Sequence, residues 1–278
     1  MTRWLERQEA VDRYTAYLHW HATKDQAVAN NMSAPPPEEE ESLVTYAIAK
    51  QPPPASRHVL ASSIISPDAH SASRFLPALS TFLQTRGSTF IPREFDVFGL
   101  WKQLVFKLPD IPEVGSRHTL NVVRASAPVT EPTSGAGRRR AQVPAHLDYA
   151  LVKTAEVNPL TVGTPLQGLR VAHVKAIFQL PSHYPVKEKQ PLAYVEWFTS
   201  FRTVDSTTGY FHVTRSTRRK RGIDGPYAEI ITVDRIVRNA MLQQKNDRQY
   251  FVNSHIDGHT FSMFKLGRFD CLPRARVG

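Results

Sequence analysis

Cysteine is almost missing from this chain of 278 residues, with only Cys271 present. That excludes a disulfide framework, a cysteine-ligated zinc finger and a redox CxxC pair, and it suits a reducing compartment. No stretch approaches the roughly 18 consecutive apolar residues of a membrane-spanning helix. The N-terminal MTRWLERQEA is charged within its first turns and has no apolar h-region, so no secretory signal is expected there. Neither a GxxxxGK[ST] nor a GxGxxG segment occurs, which removes both common phosphate cradles, and there is no GxSxG nucleophile elbow. The apolar fraction, 41% with tyrosine counted and glycine left out, lies slightly low for a globular chain.

Proline, by contrast, is abundant at 21 residues. Pro35-Pro36-Pro37 runs into Glu38–Glu41, and Pro52-Pro53-Pro54 follows. Proline triplets favour extended polyproline II and adjacent carboxylates repel, so residues 30–58 read as a linker with a short ordered piece at Leu43–Ala49. Residues 125–145, rich in Pro, Gly, Ala and Arg, read as a second linker. Positive charge is the other excess. The formal net charge is +10, and it is unevenly spread: residues 1–140 hold 16 Lys/Arg against 14 Asp/Glu, residues 141–278 hold 19 against 11. A basic half of this kind favours an anionic partner, nucleic acid above all, over a merely solubilising surface.

Periodicity supplies the elements. Trp4, Val11, Tyr14 and Leu18 share a face of an expected helix over 3–20, which would need a packing partner from outside the chain and so reads as the tail of an upstream domain. Phe75, Leu76, Leu79, Phe82 and Leu83 predict a helix over Ser73–Arg86, with Pro77 in the first turn and Gly87 as the stop. Val97–Leu108 reads as one strand. After residue 146, strand signals recur at Tyr149–Lys153, Val171–Leu180, Leu192–Thr199, Tyr210–Arg215, Ala228–Val233 and Ala240–Gln243. Within Val171–Leu180, strict alternation puts Ala172, Val174, Ala176, Phe178 and Leu180 on one face, with His173, Lys175 and Gln179 opposite. No βα alternation appears. The expected class is α+β: an antiparallel β-barrel in the C-terminal half, joined to a small helical part. The organisation expected is a helical tail at 1–29, a linker at 30–58, a small α+β region at 59–124, a linker at 125–145, the barrel at 146–243 and an extension at 244–278.

The most concrete site candidates are cationic. Arg138, Arg139 and Arg140 lie in the second linker. Arg218, Arg219, Lys220 and Arg221, preceded by Arg215, are expected in a loop between two strands. Such clusters neutralise phosphates without reading bases, and they also serve as nuclear import signals; otherwise they are solvated loops. Tyr194, Trp197 and Phe198 are candidates for a partner pocket, with core packing as the ordinary reading of barrel aromatics. No metal is expected. His255 and His259 are four apart but have Gly258 between them, and His19 and His21 point to different faces. Asp148, Glu196, Asp205 and Asp234 stand in separate strands, in no recognisable acidic motif, so no catalytic site and no cofactor is expected.

Several segments carry a family likeness. RQEAVDRYTAYLHW (7–20), LPDIPEV (108–114), GLRVAHVKAIFQLP (168–181), PLAYVEWFT (191–199), FHVTRSTR (211–218), ITVDRIVRNAMLQ (231–243) and FVNSHIDGHTF (251–261) resemble the C-terminal part of fungal Plavaka-type DNA transposases, among the CACTA-like cut-and-paste elements. The resemblance implies a multidomain protein whose acidic catalytic core lies upstream, this chain being a fragment or a truncated or domesticated descendant. Residues 146–243 also resemble the bromo-adjacent homology barrel, through Asp148–Val152, Val171–Phe178 with Val195–Phe198, His212–Ser216 and Val233–Ile236. The basic run 218–221 is not part of that barrel pattern. Together these imply a nuclear, non-enzymatic module that contacts DNA without sequence preference, or chromatin, or other transposase subunits, and no membrane. A histone-tail or subunit-binding module without DNA contact and a remnant enzyme are the alternatives.

Overall fold

The computed structural model describes residues 45–108, 120–131, 141–188, 190–202, 204–206, 208–220 and 223–265. The expected helix over 3–20, Arg138–Arg140 and Arg221 lie outside these residues. In chain order the strands are β1 (Thr45–Ala47), β2 (Val59–Leu60), β3 (Val97–Trp101), β4 (Gln103–Lys107), β5 (Leu120–Ser126), β6 (Val129–Glu131), β7 (Ala141–Val143), β8 (His146–Leu147), β9 (Tyr149–Lys153), β10 (Leu169–Gln179), β11 (Leu192–Trp197), β12 (Phe211–Thr214), β13 (Thr217–Lys220), β14 (Ile223–Pro226), β15 (Ala228–Thr232), β16 (Ile236–Gln244) and β17 (Gln249–Asn253). The helices are α1 (Ala61–Ile65), α2 (Phe75–Thr85) and α3 (Gly258–Lys265). The class is α+β and strand-rich, with antiparallel pairing throughout.

The main sheet has nine strands, in the order β12-β17-β16-β9-β10-β11-β15, with β3 beside β10 and β2 beside β3. Its two faces are covered differently. A four-stranded sheet, β1-β4-β5-β8, covers one face and encloses Leu104, Phe106, Val123, Val174, Ile177, Val195 and Trp197. Helices α1 and α2 cover the other over Phe98, Phe178, Leu192 and Tyr194. Strand β11 is therefore buried at all six positions. A strand packed on both faces reads as a mostly apolar run, as Leu192–Trp197 does with Glu196 as its one charged residue. Residues 59–108 and 146–243 share this sheet and its cores, because β3 hydrogen-bonds to β10.

The strict alternation expected along Val171–Leu180 is broken. A β-bulge between Val174 and Ala176 sets Lys175 apart. Ala172 and Val174 pack toward the four-stranded sheet, whereas Ala176 and Phe178 pack toward the helices. An extra residue in one strand reverses the side-chain parity beyond it, and no periodicity count foresees where that happens.

No closed barrel is found among the described residues. The sheet curls until Phe198, just past β11, makes an isolated bridge to Arg215, just past β12. Two backbone bonds reinforce this approach, from the Thr199 N–H to the Thr214 carbonyl at 2.7 Å and from the Ser216 N–H to the Trp197 carbonyl at 2.8 Å. Between these strands lies a third core of Leu151, Val171, Phe198, Phe211, Val213, Tyr250 and Val252, closed by Phe264 of α3. A second isolated bridge, Val204–Phe211, joins the same two segments, but isolated bridges are not a ladder, and β15 remains an edge strand among the described residues.

Three other expectations change. Val97–Leu108 is two strands in different sheets, because the chain turns a corner at Lys102. The Trp101 indole N–H is anchored there on the Ala49 carbonyl at 2.9 Å. Part of the first expected linker is ordered: β1 pairs with β4, and Pro52 is buried where its ring meets Gly99. The ends of the second form the β6–β7 ladder. Helix α2 matches expectation closely. Its C-terminus closes with Ser88 N–H to the Leu83 carbonyl and Gly87 N–H to the Gln84 carbonyl, with Gly87 at φ +76°. That is the six-to-one, five-to-two pattern which favours glycine.

Candidate nucleic-acid interface

The basic run 218–221 is not the loop expected from the sequence. Thr217–Lys220 is the first strand of a hairpin, with Arg218 opposite Gly225 and Arg219 opposite Asp224. The signal was hidden because Thr217–Lys220 carries no apolar residue. Arg218 and Arg219 are exposed. The Arg218 guanidinium lies 5.7 Å from the centre of the Tyr227 ring. Arg219 stands 4.0 Å from Asp224, with both side chains about three-quarters exposed, so this pair contributes little to stability. Arg215 is exposed but anchored, its Nε donating to the Tyr250 hydroxyl at 3.2 Å.

Beside the hairpin, a groove of about 670 Å³ runs between α2 and the edge strand β15. Five arginines line it: Arg74, Arg86, Arg218, Arg219 and Arg235. Sequence reasoning missed Arg74, Arg86 and Arg235, because none stands in a basic run, two of them marking the opposite ends of α2, and only folding gathers them. Arg74 reaches across to the hairpin, where a Cβ on Gly225 would lie 2.5 Å from its Nη2. A side chain at this position would push the Arg74 guanidinium aside. Arg235 is fixed by Glu229 at 3.0 Å and by the Lys153 carbonyl. Arg86 pairs with Glu188 at 3.1 Å. Asp224, Glu188 and Glu229 pair with Arg219, Arg86 and Arg235 in turn.

A second cleft of about 410 Å³ opens where Pro226 borders both hollows. The Lys175 bulge lies on its wall. His70 Nδ1–H donates to the Lys175 carbonyl at 2.7 Å, and Lys175 Nζ donates to the Ser71 carbonyl at 3.0 Å. Ser71 itself sits at φ +53°, the left-handed region that costs a non-glycine residue about 1–2 kcal/mol. Lys175 Nζ also lies 3.5 Å from Glu196, which accepts from the Tyr194 hydroxyl at 3.2 Å. Burial pushes the Glu196 carboxyl above its ordinary range, with Lys175 and Tyr194 pulling it back.

His173, in register with Glu196, also lines this cleft. Burial, and then the nearby Lys175 and Arg215 charges, push its pKa down to about 3, against a weaker pull from its bond to the Leu147 carbonyl. The folded state thus refuses a proton that the unfolded chain accepts below about pH 6.5. Stability from this group is complete above pH 6.5 and is lost as pH falls toward 3. Between pH 7 and pH 4 the loss is expected to reach about 3 kcal/mol. Glu196 titrates in the opposite sense, so the measurement compares urea unfolding of wild type and His173→Gln across that range. Parallel pH profiles would refute the assignment.

The aromatic candidates for a partner pocket prove to be core. Tyr194, Trp197 and Phe198 are 0%, 3% and 2% exposed. The Trp197 indole donates to Glu229 at 3.0 Å, and its ring is flanked by Arg170 and Arg235. Packing on both sides of the sheet buries these rings, although Trp197 and Phe198 also form part of the wall of the second cleft.

The four carboxylates do not converge. Asp148 accepts from the Arg124 N–H, Asp205 pairs with His212 and Lys245, Glu196 pairs with Lys175, and Asp234 lies in the turn after β15. Among the described residues no group of three or more His, Cys, Asp or Glu is placed to hold a metal ion. His255 contacts the Tyr210 hydroxyl at 3.1 Å, and the His259 side chain lies outside what is described. Comparison with known proteins found no match, whether among protein-family models, curated proteins or solved structures.

Proposed function

We propose that this chain is a non-catalytic, nuclear, DNA- or chromatin-contacting region of a transposase-like protein, and that the β13–β14 hairpin with the arginine groove is its nucleic-acid contact. The single observation that carries this reading is the meeting of five arginines from three separate segments around one groove, next to the basic run. Guanidinium groups match phosphate oxygens in fork geometry, and a surface built from them holds a backbone without reading bases. The likeness of strands β9 to β16 to the bromo-adjacent homology pattern supports a chromatin setting. The incompletely closed curl of the sheet is the architecture proposed to correspond to that barrel.

The test is a salt titration of duplex DNA binding by the full chain. Each phosphate neutralised contributes about −0.9 to the slope of log K against log[salt]. Replacing Arg218, Arg219, Lys220 and Arg221 together with Ala is expected to flatten that slope by about 2–3 units, equally on unrelated sequences. The fold is expected to survive, since Arg218 and Arg219 are exposed and charges in water contribute little to stability. An unchanged slope would move the basic run to nuclear import or to plain solvation.

A second reading, a protein-interaction module without DNA contact, draws on β15. This strand is hydrogen-bonded only to β11 among the described residues, and an edge strand is a template for an added strand. Saturable binding of an acidic peptide with no DNA binding at any salt concentration would favour it.

A further inference from the structure

We propose that the smaller cleft holds one unpaired guanine base of a bound strand, with Glu196 accepting from its N1–H and N2–H edge and Lys175 donating to its O6. This deepens the nucleic-acid reading above and rests on it. Valence counting comes first. An ionised carboxylate offers about four lone-pair positions. Glu196 fills one with the Tyr194 hydroxyl and faces the Lys175 ammonium in an ion pair at 3.5 Å. The Lys175 ammonium has three donors, of which the Ser71 carbonyl takes one. Even if the ion pair uses one position on each partner, two acceptors and one adjacent donor are left over. Guanine presents the complement along its Watson–Crick edge, an acceptor followed by two neighbouring donors. Adenine, cytosine and thymine each place only one donor group on that edge.

The construction of the site supports a ligand role. Lys175 is aimed into the cleft by a bulge, a device that re-aims side chains next to functional sites. The bulge is held by His70 and by Ser71 in a strained backbone conformation, and such strain clusters at ligand clamps. Lys175 and Glu196 are 7% and 8% exposed, so a donor or acceptor that reaches them acts with little competition from water. A volume of about 410 Å³ lies within the usual ligand-pocket range of roughly 300–1,000 Å³. The setting suits a nucleotide too. Exposed Arg215 lines the cleft, and the cationic hairpin separates it from the arginine groove, so a strand whose phosphates cross the hairpin brings a base to this opening.

Fluorescence anisotropy of the full chain with single-stranded oligothymidylates tests it. One strand carries a single central guanine, a second adenine and a third hypoxanthine, which lacks only the 2-amino group. The guanine strand is expected to bind about tenfold tighter than the adenine strand, within the range of discrimination given by a good bidentate base contact. Hypoxanthine is expected to lose most of that gain, and Glu196→Gln to abolish the guanine preference. The base substitutions need no protein variant, so the test stands even if Glu196→Gln fails to fold. Equal affinity for the guanine and adenine strands, with a steep salt slope retained, would overturn the guanine pocket while leaving the arginine groove intact. No binding to any strand or duplex would overturn both.

Discussion

Replacing Asp257 with Ala is expected to destabilise the protein by about 3–5 kcal/mol, the cost of leaving a buried charge unpaired. Arg238 is 1% exposed, and its Nη2 donates to Asp257 at 2.6 Å. Its Nε and Nη1 have no hydrogen-bond partner among the described residues, so Asp257 is the one counter-charge holding this guanidinium. Asp257 also caps α3, accepting from the Thr260 N–H at 2.7 Å and from the Thr260 hydroxyl at 2.9 Å. The variant therefore loses a cap and a charge at once. Asp257→Asn keeps a capping oxygen and is expected to cost less. Arg238→Met with Asp257→Asn is expected to cost less than Asp257→Ala alone, because the buried charge goes with its partner.

The pH dependence has a definite sign. Burial raises the pKa of Asp257, but the Thr260 N–H, the Arg238 charge and the Thr260 hydroxyl outweigh it and bring the carboxyl below its ordinary value. Its contribution is present above the unfolded carboxylate pKa of about 3.9 and is lost as pH falls through the lower folded value. Urea denaturation at neutral pH measures all three variants. A loss below about 1 kcal/mol for Asp257→Ala would show that water or another group already satisfies Arg238.

Phe75→Ala is expected to cost about 3–5 kcal/mol, the range for truncating a fully buried aromatic ring. Phe75 is wholly buried. Its ring meets Phe98, Phe178 and Tyr194 edge-on, with centroids 5.3, 5.2 and 5.9 Å away. These contacts seat the first turn of α2 on strands β3, β10 and β11. The cavity left by Ala can be filled only by shifting α2, whose outer face carries one wall of the arginine groove. The same variant is therefore expected to weaken DNA binding at low salt beyond what its loss of stability explains. Thermal or urea unfolding with unchanged stability would show that α2 docks without this ring.

Much of the strand framework was legible in the sequence. Tyr149–Lys153 and the core of Leu192–Thr199 carry apolar runs that only strands covered on both faces need, and α2 shows a helical stripe with its own glycine stop. Those signals are local, and local sterics and hydrophobic burial are enough to produce them. The corner at Lys102 was not legible, because a chain that changes sheets has the same composition on both sides of the turn. Nor was the β13–β14 hairpin, whose polar sequence lacks the alternation that betrays a half-buried strand.

The site divides in the same way. By itself the sequence determined that the C-terminal half is basic, that its charge concentrates at 218–221, and that its strands are antiparallel and mostly apolar. Tertiary structure alone decided that Arg74, Arg86 and Arg235 join Arg218 and Arg219 at one groove, since residues far apart in the chain meet only when β15 and α2 pack. It alone decided that Lys175 faces Glu196, because one bulge reverses the alternation of β10. And it turned Tyr194, Trp197 and Phe198 from candidate contacts into core, because burial depends on what covers each face of a strand, and that cover comes from distant segments.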